Sequence, residues 1–310
     1  MRLAPSTEQV AFAATVHEAL SASLDWERLA ELGVAGLIVP ERWGGFGGSL
    51  ADLVVVAEEL GHHALPGAVA ESIGAVPALL AGLAEDGPAE KWLPELAAGR
   101  ITATMAAPPW QPLAVGAETA GLILLAGRHT VWAGRGGTSY PSMDSGRRLT
   151  EVSPAGVLAG GAAGAVTRAV NVGALVSAAQ LLGAGRALLE TTIGYARKRT
   201  QFGRPIGAFQ AVRHRLADVA VGLEFARPLL HAAAVTGAAV DVSAAKVACG
   251  EAAHRAARAA LQVHGAIGYT REHGLGRWLT SVRALSLAWG TPARHRERVM
   301  AELSSGEATA

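Results

Sequence analysis

The stretch YARKRTQFGRPIGAFQAVRHRLADVA, residues 195–220, changes character twice. It opens on a basic helix end, Arg197-Lys198-Arg199, where cations meet the negative pole of a helix dipole. Thr-Gln-Phe-Gly-Arg-Pro, 200–205, then carries the Gly and Pro that interrupt regular structure. From Phe209 a new helix begins. Phe209, Val212, Leu216, Val219, Leu223, Ala226 and Leu230 recur at alternating intervals of three and four, the stripe of a helix with one buried face. Pro228 is a candidate kink within it.

Upstream, VNVGALVSAAQLLGAGRALLETTIGYARKR reads as one long helix ending at this connection. Downstream, helices are expected over about 242–263 and 274–288. Four long helices with short loops define a four-helix bundle over residues 168–310. Residues 101–167 differ. ITATMAA, GLILLAG and HTVWAG are short β-prone runs split by Gly and Pro, so a small β module is expected there. Its second half, 134–166, is weakly patterned and reads as loop-rich. Residues 1–100 are helical, with Asp25 as an N-cap and Gly33 as a stop. PERWGGFGGS, 40–49, is a glycine-rich turn, and SLADLVVVAEELG, 49–61, is a helix opening at Ser49 or Asp52. KWLPELAAG is a short helix closed by Gly99. The fold class is mostly α with a small β module.

Composition bounds the function. The chain has 310 residues, half of them hydrophobic, enough for a large core. A net charge of +1 gives no footprint for nucleic acid or an acidic membrane surface. The longest apolar runs, AGLILLAG and VLAGGAAGAV, fall short of the 18 or so residues of a membrane span. The lone Cys249 excludes an internal disulfide and fits a reducing cytoplasm, where it reads as a packed core thiol.

Residues 195–220 resemble a signature of the acyl-CoA dehydrogenase family. So do QVHGAIGYTREHGLGRW, 262–278, and VPERWGGFGGSLADLVVVAEELG, 39–61. The three segments come in the family's order, on its helical, β, helical-bundle layout. The resemblance implies an FAD enzyme that oxidises a CoA thioester to the α,β-enoyl product, with FAD lying across a subunit interface and an acceptor such as electron-transfer flavoprotein. It implies that Arg199 fixes the FAD diphosphate, a task suited to a guanidinium. Gln201 and Phe202 would lie beside the same ADP half. Gln262 and Gly265 match a second FAD-contacting segment. In the family these residues serve flavin seated mainly in the neighbouring subunit. Without the resemblance, RKRTQFGR reads only as a solvated basic helix end.

The sequence also departs from the family. The α proton is removed there by a carboxylate that commonly precedes a Gly-Thr in the last bundle region. Aligned from the Gln262 segment, that position is Trp289, in SLAWGT. An indole N–H donates a hydrogen bond but accepts no proton. The alternative seat of the base lies near Gly173, with no Asp or Glu in reach. The β module is truncated, and the hydroxyls that contact the flavin ring are not identifiable. The pattern resembles the shortened subunits of heteromeric, α2β2 actinobacterial members, which often act on CoA thioesters of steroid side chains. This chain would then be a non-catalytic member that clamps a partner homologue's FAD, with Trp289 in a vestigial acyl pocket.

Three alternatives stand beside that reading. Trp289 also reads as simple packing at the bundle end. A homo-oligomeric enzyme of the same fold would need a relocated base, for which Glu251, at i,i+3 from His254, is the best candidate. A flavin-free scaffolding relative is the third. His62-His63 has no third ligand at recognisable spacing, so no metal is expected. WGGFGGS lacks the Gly-Lys-Ser/Thr of a phosphate loop and reads as a turn.

Overall fold

The structure, a computed structural model, describes residues 4–270 and 273–307. Arg271 and Glu272, within the second signature segment, lie outside the described residues.

The N-terminal region is helical. It holds α1 (Thr7–Ala22), α2 (Trp26–Glu31), α3 (Leu50–His62), α4 (Val76–Ala81) and α5 (Gly87–Ala97). Asp25 caps α2 by accepting from Glu27 N–H. Ser49, rather than Asp52, caps α3, and Asp52 closes the capping box from the third helical position. A π-helical turn, Glu71–Ala75, leads directly into α4.

The middle module is a five-stranded sheet of β1 (Ala103–Ala106), β2 (Ala114–Val115), β3 (Leu122–Ala126), β4 (Val131–Pro141) and β5 (Arg148–Ala159). The strand order is β1-β3-β4-β5-β2, with only the β1–β3 pair parallel. The loop-rich expectation for 134–166 is corrected. Most of that stretch is the long β4–β5 ribbon, and α6 already begins at Ala163. The ribbon is exposed or half-buried along nearly its whole length, so no alternation of apolar and polar residues marks it. Three register shifts between β4 and β5 blur the pattern further.

The C-terminal bundle starts with α6 (Ala163–Lys198), followed by the hairpin β6 (Thr200–Gln201) and β7 (Arg204–Pro205). Then come α7 (Gln210–Thr236), α8 (Ala239–His264), α9 (Gly276–Leu287) and α10 (Pro292–Glu307). The α7 stripe is buried from Val219 through Leu223 and Ala226 to Leu230, each large side chain contributing about 1.5–3 kcal/mol. Phe209, Val212 and Leu216 are only half-buried, because the start of α7 reaches past the bundle beside the hairpin. The helix runs on through Pro228.

α6 is the spine, packed against α3, α4, α7, α8 and α9. It meets α3 backbone to backbone. A Cβ on Gly183 would sit 1.8 Å from Glu58 O, and one on Gly61 would sit 2.1 Å from Gln180 O. Both α6 and α7 are long and apolar enough to cross a bilayer. This exceeds what the short apolar runs suggest, since Ser177, Gln180 and glycines interrupt the run without adding charge. In α6, 89% of the apolar window is buried inside the protein, so its surface is taken up by packing.

Gly183→Ala is expected to cost about 2–3 kcal/mol in urea unfolding, because backbone cannot yield to the new methyl. Gly194→Ala, in the same helix with open space around it, is expected to stabilise by up to about 1 kcal/mol.

Candidate functional site

Two places on the bundle gather the singled-out residues. The first is the end of α6. Arg199 caps the helix, its N–H donating to Tyr195 O, and its side chain is exposed. Among the described residues its guanidinium has no hydrogen-bond or ion-pair partner. The chain then reverses in the two-residue β6–β7 hairpin, with φ of 53° at Phe202 and 78° at Gly203. Phe202 stands at the tip and is 92% exposed. Below it, Phe209 receives the Arg204 guanidinium on its face at 4.2 Å. Gln201 is exposed and its Nε2 donates to Thr200 O at 2.8 Å.

Gln262 and Gly265 lie at the end of α8, both exposed. The fold brings this end beside that of α6: His264 is buried and stacks on Tyr195 with ring centroids 4.3 Å apart. Its Nδ1–H donates to Ala260 O, and burial holds the imidazole below its usual range. Gly265 adopts φ 64° and ψ −141°, a conformation that side chains disfavour. Among the described residues no atom beyond its chain neighbours lies within 4 Å of where its Cβ would stand, so this face is open to an incoming group. The surface thus offers an unpaired guanidinium, two exposed amides and a bare backbone turn. That set fits the diphosphate and adenosine half of a dinucleotide.

The second place is the interior beside Trp289. The indole is fully buried and lies against Gly173, the other position at which the resemblance places a base. A Cβ on Gly173 would approach the indole Cδ2 to 2.4 Å. Polar groups hold Trp289 on three sides. Its backbone N–H donates to Gln111 Oε1 at 2.9 Å, and its carbonyl accepts from His295 Nε2 at 3.0 Å. Its Nε1–H donates to Glu71 Oε1 at 3.1 Å. Burial, with Lys246 nearby, lowers the His295 imidazole to about 4. The neutral ring can therefore donate to Trp289 O while Nδ1 accepts from the Ser243 hydroxyl. Trp289 itself has a φ of 56°, a cost accepted to seat the ring.

Glu71 is the residue that the sequence did not single out. It is fully buried in the π-helical turn, and its Oε2 has no hydrogen-bond partner among the described residues. Burial pushes its carboxyl above the usual range, against the pull of Arg147. Glu251, the relocated base considered above, is a surface residue ion-paired with Arg296 and Arg255. Cys249 is buried, and burial pushes its thiol up to about 12.

The two places are far apart. Gly173 and Arg199 are separated by about 39 Å along the α6 axis at 1.5 Å per residue. One dinucleotide cannot be held by the outer residues and also lie over Trp289.

This arrangement of helical domain, small sheet and bundle carries a family identity. Residues 2–100 match the acyl-CoA dehydrogenase N-terminal domain and residues 160–304 match the acyl-CoA dehydrogenase C-terminal domain. The chain belongs to the acyl-CoA dehydrogenase family. It is 33% identical over 282 residues to acyl-CoA dehydrogenase IpdE2 of Mycolicibacterium smegmatis, covering 90% of this chain and 87% of that protein. Its fold matches the ChsE4-ChsE5 complex from Mycobacterium tuberculosis with TM-score 0.86 and 22% identity, over 98% of this chain and 99% of that one. It matches a solved FAD-dependent dehydrogenase with TM-score 0.89 and 21% identity, over 98% and 100% of the two chains.

The contact between Gly173 and Trp289 is testable by a double-mutant cycle. Gly173→Ala alone is expected to cost about 2–3 kcal/mol and Trp289→Ala about 3–5 kcal/mol in urea unfolding. The double variant is expected to lose at least about 1 kcal/mol less than the sum, because the new methyl then has room.

Proposed function

We propose that this chain is the non-catalytic member of a heteromeric, cytoplasmic acyl-CoA dehydrogenase, clamping the ADP half of a flavin seated in a homologous partner. The observation that carries this reading is the separation of the two places on α6. The outer residues Arg199, Gln201, Phe202, Gln262 and Gly265 all face solvent. The inner seat is filled by Trp289. Exposed Phe202, half-buried Phe209 and a strip of Val221, Phe225 and Leu229 on α7 add apolar surface that suits a partner chain.

On this reading Arg199 binds and orients the diphosphate through charge-assisted bonds. Gln262 hydrogen-bonds the same half, and Gly265 lets the backbone approach it. FAD held by these residues would supply hydride-accepting chemistry for oxidation of a CoA thioester. The base that removes the α proton comes from the partner, since Trp289 accepts none. The shortened heteromeric members that the sequence resembles suggest a steroid side-chain thioester as substrate and electron-transfer flavoprotein as acceptor.

A second reading has one observation in its favour. Glu71 is a carboxyl with a raised pKa beside the vacated seat, which a homo-oligomeric enzyme with a relocated base would require. The seated indole separates it from any substrate in the present arrangement.

Arg199→Ala in the purified complex is expected to weaken FAD by about 10- to 100-fold, the worth of a charge-assisted bond, while the partner stays bound. Unchanged FAD affinity would contradict the clamp. Glu71→Gln is expected to leave turnover intact; its abolition would establish the second reading.

A further inference from the structure

The end of α3 carries side chains that the flavin reading does not use. His62 is the last residue of α3, and His63 caps it. α1 packs against α3 and brings His17 to the same place. One donor atom each from His17, Glu59, His62 and His63 lies within 4.8 Å of all the others. His17 Nδ1 is 2.7 Å from Glu59 Oε2 and 3.2 Å from His63 Nε2. The three imidazole centroids are 4.6, 5.0 and 5.1 Å apart.

Hydrogen bonding alone serves this cluster poorly. A single hydrogen on His17 Nδ1 cannot make both of its contacts at full strength. His62 Nε2 is taken by Glu190 Oε2 at 2.8 Å. That leaves His62 Nδ1, which is buried and has no hydrogen-bond partner among the described residues. A cation would use donor atoms gathered this closely.

We propose that His17, Glu59, His62 and His63 form a structural zinc site that fastens α1 to the end of α3. Three imidazoles and a carboxylate are a ligand set suited to a borderline cation. Ligands about 2.0–2.1 Å from a tetrahedral ion stand about 3.3 Å apart. The His17–His63 edge is already at that length, and Glu59 needs only a small withdrawal from His17. The outer partners are in place. Glu190 holds the far nitrogen of His62, and Arg186 donates to Glu59 Oε2 at 2.6 Å. The charges around the cluster balance, with Glu58, Glu59 and Glu190 against Arg186, Arg227 and Arg277. The ion is therefore held by ligand bonds rather than by a net field. His17 and Glu59 also line a surface cavity of about 370 Å³, which gives an entry path. All four positions are filled by protein, so the role is structural.

The full-length chain, in its complex, is stripped with chelator and titrated with Zn²⁺ while metal content, thermal unfolding and flavin content are followed. One zinc per chain is expected, with a melting temperature about 5 °C higher at zinc a hundredfold above Kd. Co²⁺ in its place is expected to give the intense visible d–d bands of a tetrahedral site. His17→Gln with His63→Gln is expected to abolish these effects and leave flavin content unchanged, since the site is independent of the clamp. If that double variant does not fold, His17→Gln alone, on a side chain 41% exposed, is expected to weaken zinc at least about tenfold. A wild-type chain that takes up no zinc above background overturns the proposal. So does a folded variant that binds zinc as tightly as wild type.

Discussion

The contact between the Trp289 indole and the bare Cα of Gly173 constrains what this chain can do. Each residue requires the other. A side chain at position 173 would enter the ring, and a smaller residue at 289 would open a cavity against α6. Hydrogen bonds from Trp289 to Gln111 and Glu71, and from His295 to the Trp289 carbonyl, hold the residue in that place. Filling the interior in this way is compatible with a stable bundle. It is not compatible with an acyl thioester resting on the same spot.

α6 separates that filled seat from the surface at its other end. A long helix packed backbone to backbone on α3 holds the geometry of one end independently of what fills the other. Tyr195 on His264 ties the ends of α6 and α8 together, and this sets the spacing of the two exposed segments without help from the interior. Arg199 has no ion-pair partner among the described residues and Phe202 is 92% exposed, so both are available to a binding partner. Their exposure fits a chain that is complete only in an assembly.

Much of this was legible in the sequence, and the failures have physical causes. The α7 stripe and the stops at Gly33 and Gly99 are local patterns, and the structure contains the helices they imply, whereas α3 runs through Gly61, expected to end it, to His62. Arg199 through Phe202 stand out in the sequence because one short segment carries the whole resemblance, and the structure places them together at the exposed end of α6. The β4–β5 ribbon was not readable, since neither face is buried for most of its length and bulges shift its register. Trp289 and Gly173 were each read as departures, but their contact joins distant parts of the chain and has no local spacing. Glu71 sits in an unremarkable apolar stretch and matters only because the fold seals it under the indole. His17 gave no hint of joining His62 and His63, because helix packing rather than sequence spacing brings it there.

The most direct measurement is native mass spectrometry of the assembly purified from its source through a tag on this chain. The account predicts a complex with a second, homologous chain and two FAD per four subunits. A homo-oligomer carrying one FAD per chain would contradict it.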